Sequence, residues 1–447
     1  PGRRRSVVLI PPFRSIKMKN ILIGVSCALS LQLAAPASTT GGTPDLFALR
    51  VGSAETITQG TIPHAVILIE HGKIVMIGQD LEIERGIPVI DRPDWVAMPG
   101  LVNCYSRAGM TSSGSNGTVP STMASTELYP NQPVYGDLLD LGITTLGLYP
   151  PGNGIPGQAI AIRTSGSTLD EMLLSDGVYL KMLMRSNPSS KKMIRDAFEK
   201  ADEYGEDVVK AREKWEKEVE KWEKEQKKSK DKDKKEEGKA AAGGDAEEDP
   251  GPGEFVEPAP DGIAGPFLSL RSKELSAMIS IRKAGDYLHL LDALGEEEFD
   301  WCLRVPLRTD IDLYEIKDQL GEDKRTVVVE PRLTLMPWTM RERNIPDELS
   351  RAGANVVFVP NEDDMNNQKD WRLHVGHVVK RGMDYQAALR AMTLGPAEVL
   401  GLGERLGSLD AGKDANIIFF SGDPLQPTSK LEMVMIDGEF VSEEVVR

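Results

Sequence analysis

Histidine is a common metal ligand and proton carrier in enzymes, and this chain of 447 residues has five of them. His374 and His377 stand three residues apart on a predicted helix, a spacing that can bring two imidazoles to one metal ion. His64 and His71 lie among short predicted strands, and His289 lies on another predicted helix. Zinc usually takes three or four nitrogen, sulfur or oxygen ligands. We therefore interpret His374 and His377 as structural or solvated histidines that face outward.

The cysteines and glycines form no stronger motif. Cys27, Cys104 and Cys302 make no C-x-x-C pair, and two free core thiols are favoured over a Cys104–Cys302 disulfide. The chain has no G-x-S-x-G, no P-loop and no G-x-G-x-x-G. We interpret Gly152-Asn153-Gly154 as a turn after a strand rather than as a phosphate site.

Two carboxylates stand where a parallel sheet would place functional groups. Glu362 and Asp363 directly follow the apolar run Asn355 to Val359. Further apolar runs at 143–148 and 326–330, with a helical pattern at 384–400, predict alternating β and α units and therefore a parallel sheet. Functional side chains of such sheets lie at the carboxyl ends of the strands.

Charge and the first residues bear on partners and location. A formal net charge of −16 disfavours nucleic acid and anionic membranes as partners. Residues 1–17 look like an upstream extension, and Lys19, the apolar run 21–33 and Ala35-Pro36-Ala37 resemble a secretory signal. We expect residues 1–37 to be removed and the protein to be exported, periplasmic or secreted, with no membrane contact after cleavage.

Three further regions are defined by composition. Residues 45–98 and 401–447 are rich in short strands and predict one small β domain built from both ends of the chain. Residues 189–262 combine a long amphipathic helix with a charged run, and the stretch 240–260 is rich in Ala, Gly, Glu and Pro. We expect the segment from about Lys224 to Pro260 to be mobile, and its second part, 240–260, to be disordered. A surface insertion is favoured over a lid or a partner-binding arm.

Several separated motifs resemble those of one family. Met98-Pro99-Gly100-Leu101-Val102-Asn103, the helix motif at 387–397 and the segment Leu406 to Asn416 resemble the amidohydrolase superfamily, in particular its imidazolonepropionase-like members. The resemblance implies an α/β fold: a TIM (β/α)8 barrel at 99–188 and 263–400, with a composite β-sandwich. It also implies hydrolysis of non-peptide C–N bonds with a divalent metal such as zinc, held mainly by histidines at the barrel mouth.

The histidines of the family do not carry over to this chain. The strand 1 pair falls on Tyr105 and Arg107, and the strand 5 position falls near Ser280 or Arg282. The strand 6 position falls near Leu307 or Arg308. The strand 8 carboxylate has candidates in Glu362 and Asp363. Arginine stays protonated and cannot donate a lone pair to a metal, so no metal cofactor is expected.

Two hypotheses follow. The first is a metal-free, inactive member that binds a small-molecule or anionic ligand, or a partner, through Tyr105, Arg107, Arg282, Glu362 and Asp363. In that case the two arginines pair with Asp363 or Glu362 across the former metal site. The alternative is an active hydrolase with an unusual or metal-independent site, using Asp363 and Tyr105. The sequence does not define the substrate, and it leaves homo-oligomerisation open.

Overall fold

The computed structural model describes residues 44–236, 251–308 and 312–441. The expected extension and signal at 1–37 lie outside these residues. Within them, no helix is both long and apolar enough to cross a membrane.

The strands of the described ranges fall into two large sheets and two small pairs. In chain order they are β1 (Leu46–Glu55), β2 (Thr61–Pro63), β3 (Ala65–Glu70), β4 (Lys73–Gln79), β5 (Val89–Pro99), β6 (Leu101–Ser106), β7 (Ser115–Thr118), β8 (Ile143–Leu148), β9 (Gly152–Ile155), β10 (Gly157–Arg163), β11 (Leu173–Leu183), β12 (Ser276–Ser280), β13 (Trp301–Arg304), β14 (Thr326–Val329), β15 (Thr334–Leu335), β16 (Glu342–Arg343), β17 (Asn355–Phe358), β18 (Ile417–Phe420), β19 (Leu431–Ile436) and β20 (Glu439–Phe440).

The α-helices of the same ranges lie mainly between the strands of the second sheet. They are α1 (Pro133–Leu139), α2 (Leu169–Met172), α3 (Pro188–Glu236), α4 (Ala264–Arg271), α5 (Ala284–Leu294), α6 (Lys317–Glu322), α7 (Ile345–Ala352), α8 (Met365–Lys380), α9 (Tyr385–Met392) and α10 (Leu394–Val399).

The first sheet joins the two ends of the described chain. Its order is β20-β19-β18-β5-β1-β3-β4, with β2 paired to β1, and the two ends meet where β5 pairs antiparallel with β18. Because side chains alternate across a strand, Ile417 and Phe419 face the core of this sheet, whereas Ile418 and Phe420 pack on the core of the barrel. The expected β-sandwich is therefore one hydrogen-bonded sheet with its own core on one face and the barrel on the other.

The second sheet is a nearly closed barrel of eight strands, in the order β17-β14-β13-β12-β11-β10-β8-β6. The strand β10 is antiparallel to both of its neighbours, whereas the other strands run parallel. A parallel pair needs a crossover of about a dozen or more residues, and the connection from β8 to β10 spans only 149–156. The expected α/β barrel is thus confirmed, but with one reversed strand. The edge strands β6 and β17 both contact α10.

The insertion folds as a long helix with a return segment. Near its base, Phe198 of α3 contacts Phe267 edge-on with ring centroids 4.7 Å apart. Residues 251–258 run back along the helix: Trp215 Nε1 donates to the Gly253 carbonyl at 2.9 Å, and the Tyr204 hydroxyl donates to the Pro258 carbonyl at 2.8 Å. Residues 224–236, expected to be mobile, instead form the end of α3. Residues 251–258, expected to be disordered, lie against α3, because the aromatic side chains of the helix offer them apolar surface and donors. Residues 237–250 lie outside the described chain.

Candidate active site at the barrel mouth

The carboxyl ends of the parallel strands meet around one cavity of about 540 Å³. Asn103 and Tyr105 reach it from β6, Tyr149 follows β8, and Arg304 ends β13. The residues after β13, β14 and β17 complete the polar part of its wall, namely Arg308, Glu330, Arg332, Asn361, Glu362 and Asp363. This is the mouth at which barrels of this kind place their active sites.

A buried ion pair lies in the wall of the cavity. Arg304 Nη2 donates to Glu330 Oε1 at 2.5 Å, and the side chains are only 8% and 5% exposed. Glu330 Oε2 also accepts the backbone N–H of Leu307 at 2.6 Å. The pair therefore fixes a guanidinium and a carboxylate where β13 and β14 end, and each charge neutralises the other in a site with little water.

Two stacked tyrosines lie in the wall of the cavity, with a buried lysine beside them. The rings of Tyr105 and Tyr149 stack with centroids 3.9 Å apart, and Lys181 Nζ lies 4.0 Å from the centroid of Tyr149. Lys181 is only 5% exposed on β11. Burial, helped by the positive charge of Arg107, lowers the pKa of the Lys181 ammonium to about 7. A large fraction of this amine is therefore uncharged at neutral pH.

Asp363 connects the first and last strands of the barrel. Its Oδ1 accepts from Ser106 Oγ at 2.7 Å and from Gln368 Nε2 at 3.1 Å, while its Oδ2 accepts the backbone N–H of Arg107. Asp363 is an exposed residue at the edge of the cavity, and the walls of the mouth flank its carboxylate. The walls displace water from the charged form and raise the pKa of Asp363 above its ordinary value, although these hydrogen bonds and the charge of Arg107 oppose that rise.

Two deeply buried donors in the wall have no hydrogen-bond partner within the described structure. Asn103 is fully buried; its Oδ1 accepts the backbone N–H of Tyr105 at 3.2 Å, which leaves Nδ2 unpaired. Arg304 is 7% exposed, and its Nε is unpaired as well. Buried donors are normally paired with protein or with ordered solvent, so both groups point to something small that occupies the cavity.

The site residues predicted from the sequence are only partly brought together. Tyr105, Glu362 and Asp363 line the cavity. The guanidinium of Arg107 instead donates to the Ser112 carbonyl at 2.7 Å, and Arg282 is exposed outside the cavity wall. Between these described residues, the predicted guanidinium–carboxylate pair with Asp363 is absent, because the turn after β6 presents the backbone N–H of Arg107 to the carboxylate.

The structure also places the cysteines, the histidine pair and the glycine motif discussed in the sequence. Cys104 and Cys302 are buried free thiols. His374 is half-buried with its Nδ1 3.0 Å from Asn361 Nδ2, so it contacts a residue of the mouth, and burial lowers its pKa. His377 is exposed. Gly152-Asn153-Gly154 forms β9, which pairs with β7.

Sequence reasoning missed Arg304, Lys181 and the role of Glu330. A signal was present in the chain, because Arg304 follows Trp301-Cys302-Leu303 and Lys181 follows Val178-Tyr179-Leu180, so each places a charge within an apolar strand. Charged residues are rarely buried without a partner or a function.

The donors at the mouth suit a divalent metal poorly. Across residues 44–236, 251–308 and 312–441, no cluster of three or more His, Cys, Asp or Glu could hold an ion. Both oxygens of Glu330 already accept hydrogen bonds, and the Arg304 guanidinium would repel a nearby divalent cation.

The chain is similar to known amidohydrolases in sequence and fold. Residues 343–441 match the amidohydrolase family. A stretch of 57 residues is 46% identical to amidohydrolase tasK of Hapsidospora irregularis, covering 13% of this chain and 6% of that protein.

Solved structures with a similar fold include an amidohydrolase from Thermotoga maritima, with a TM-score of 0.69, 22% identity, and coverage of 89% of this chain and 100% of that one. A prolidase solved with N-methylphosphonate-L-proline has a TM-score of 0.50, 13% identity and the same coverage. With the family match over residues 343–441 and the barrel, the resemblance to the amidohydrolase superfamily inferred from the motifs is confirmed.

Proposed function

We propose that this protein is a non-catalytic member of the superfamily, whose barrel mouth binds a small molecule without a divalent metal. The observation that carries the proposal is the buried Arg304–Glu330 pair in the cavity wall. It sets a permanent cation at the barrel mouth, where the resemblance implies a metal, and its hydrogen bonds occupy both oxygens of a carboxylate that could have been a ligand.

The stacked Tyr105 and Tyr149 and the unpaired donors Asn103 Nδ2 and Arg304 Nε support the ligand-binding part of the proposal. Together they give the cavity an apolar wall and specific hydrogen-bond donors, the combination that small-molecule sites use. The expected signal sequence further supports a role outside the cytoplasm.

Elemental analysis of the protein after mild purification tests this proposal. We expect well under one equivalent of zinc, manganese or iron, and no rise in melting temperature when these ions are added. One equivalent of tightly held metal, or a strong thermal shift with any of the three, would refute the metal-free site.

Asp363 favours a second candidate function, a metal-independent hydrolase. Its carboxylate faces the cavity, and its raised pKa moves it toward the range in which a general base works near neutral pH. Tyr105 lines the same cavity and is the candidate acid.

Hydrolysis of a panel of amides and esters by chelator-treated protein decides between the two functions. If the second holds, Asp363→Asn abolishes turnover, whereas Asp364→Asn does not, because Asp364 is exposed and caps α8 outside the cavity wall. Absence of turnover across the panel favours the non-catalytic barrel.

A further inference from the structure

The charges around the cavity are separated into two groups. We define the cationic side as Arg308 and Arg332, which follow β13 and β14, and the acidic side as Glu362 and Asp363, which follow β17. Within the described residues, none of these four side chains takes part in an ion pair. Arg332 Nη1 only approaches the Leu307 carbonyl, at 3.4 Å.

Arg308, Glu362 and Asp363 are exposed and Arg332 is half-buried, so water solvates these charges at the rim of the cavity. A ligand that enters the cavity displaces part of that water and must supply counter-charges in its place. Such a cavity favours a ligand that carries both charges, since one molecule then neutralises both sides. A simple anion would satisfy the cationic side and be repelled by Asp363 and Glu362.

The deeper wall extends the cationic side. The unpaired donors Asn103 Nδ2 and Arg304 Nε can each hydrogen-bond a carboxylate oxygen. Guanidinium groups such as that of Arg332 match carboxylate geometry with two parallel hydrogen bonds. The end of the ligand that faces the acidic side must then be a hydrogen-bond donor. Asp363 Oδ2 can accept from it, because that oxygen accepts one backbone N–H and keeps a further acceptor site.

Size and apolar surface limit the rest of the ligand. A cavity of about 540 Å³ lies within the range of small-molecule sites, about 300–1,000 Å³. Tyr105, Tyr149 and Leu307 supply apolar surface in the same wall, which suits an organic side chain.

We propose that the cavity binds a small zwitterion with the chemistry of an α-amino acid. Its carboxylate lies toward Arg332, Arg304 and Asn103, and its ammonium group lies toward Asp363 and Glu362. This inference rests on the proposed metal-free ligand site and names the class of its ligand.

Thermal-shift measurements with the common L-amino acids, followed by calorimetry on the strongest binder, test the proposal. The matched comparisons are the same compound without its amino group and the same compound without its carboxylate. We expect each analogue to bind at least about tenfold more weakly, since losing one charge-assisted contact of about 1.4 kcal/mol weakens binding by that factor.

Variants assign the two poles. Arg332→Gln should weaken binding of the amino acid about tenfold and leave the affinity for the decarboxylated amine nearly unchanged. Glu362→Gln should also weaken binding of the amino acid about tenfold, but it should leave the affinity for the desamino acid nearly unchanged. Arg282→Gln is the matched control, because Arg282 is an exposed arginine outside the cavity wall.

Equal binding of the amino acid and either analogue overturns the zwitterion, and so does the absence of any thermal shift across the amino acids. Metal content measured on the same sample decides the proposed function separately. A metal-free protein that binds plain acids as well as amino acids therefore refutes only this inference.

Discussion

The Arg304–Glu330 pair offers the sharpest test of how this barrel mouth is stabilised. The two side chains are 8% and 5% exposed with an N–O separation of 2.5 Å, so water cannot solvate either charge once its partner is removed. In Arg304→Met, the Glu330 carboxylate stays buried with only the Leu307 backbone N–H as donor. Breaking one side of such a pair costs about 3–5 kcal/mol, so we expect unfolding by urea to show a loss of that size.

A double-mutant cycle gives the prediction its control. Arg304→Met combined with Glu330→Leu removes both charges, and should recover most of the loss because no unpaired charge remains. The exposed pair Arg50–Asp91 is the matched comparison, with side chains 49% and 53% exposed and a separation of 3.3 Å. Arg50→Met should cost less than about 1 kcal/mol. The reasoning is wrong if Arg304→Met is as stable as the parent, or if the double variant is less stable than Arg304→Met alone.

Three further predictions follow from the same structure. Lys181 has a folded-state pKa of about 7, below its ordinary value, so the free energy of unfolding should rise as pH increases from about 7 to about 10. Urea titrations at several pH values should show that Lys181→Met reduces this rise by roughly 3–5 kcal/mol. The raised pKa of Asp363 acts in the opposite sense, because the stability from its neutral form is lost as pH rises above the ordinary aspartate pKa of about 4. The melting temperature of Asp363→Asn should therefore increase relative to that of the parent between about pH 4 and pH 7. A constant difference between the two melting temperatures would contradict the shift. Trp215→Ala should speed proteolysis within 251–260, because Trp215 donates to Gly253 and packs on Phe255; Trp338→Ala, at 99% exposure, should leave cleavage there unchanged.

The fold was largely predictable because the signals for it are local. Alternating apolar runs and turn residues mark the strands, and the motifs around Met98 and Leu406 carry the family resemblance. Two features were not local. The connection 149–156 is too short for a parallel crossover, so β10 runs antiparallel to β8 once the two strands pair. That pairing is a tertiary contact that the local sequence does not specify. The return segment 251–260 has a polar, Pro-rich composition, and it lies against α3 only because Trp215 and Tyr204 are there to receive it.

The candidate site was predictable only in part. Asp363 follows a strand, and its position at the barrel mouth follows from the fold. The direction of the arginine side chains does not follow from the sequence, because the turn after β6 sends the Arg107 guanidinium to Ser112, while Arg282 begins a loop on the exposed side. The buried arginine–carboxylate pair of the mouth is formed by Arg304 and Glu330, not by Arg107 or Arg282.

The sequence by itself predicted the resemblance to the amidohydrolase superfamily and the barrel with a β domain from both ends, since these depend on residue identity and periodicity along the chain. Only the tertiary structure decided which charges meet. Arg304 and Glu330 are 26 residues apart, and Ser106 and Asp363 are 257 residues apart, yet each pair is in hydrogen-bond contact. Such pairings depend on the stagger of neighbouring strands and on the turns that follow them. These features fix side-chain direction through packing across the whole barrel, and no local stretch of sequence encodes them.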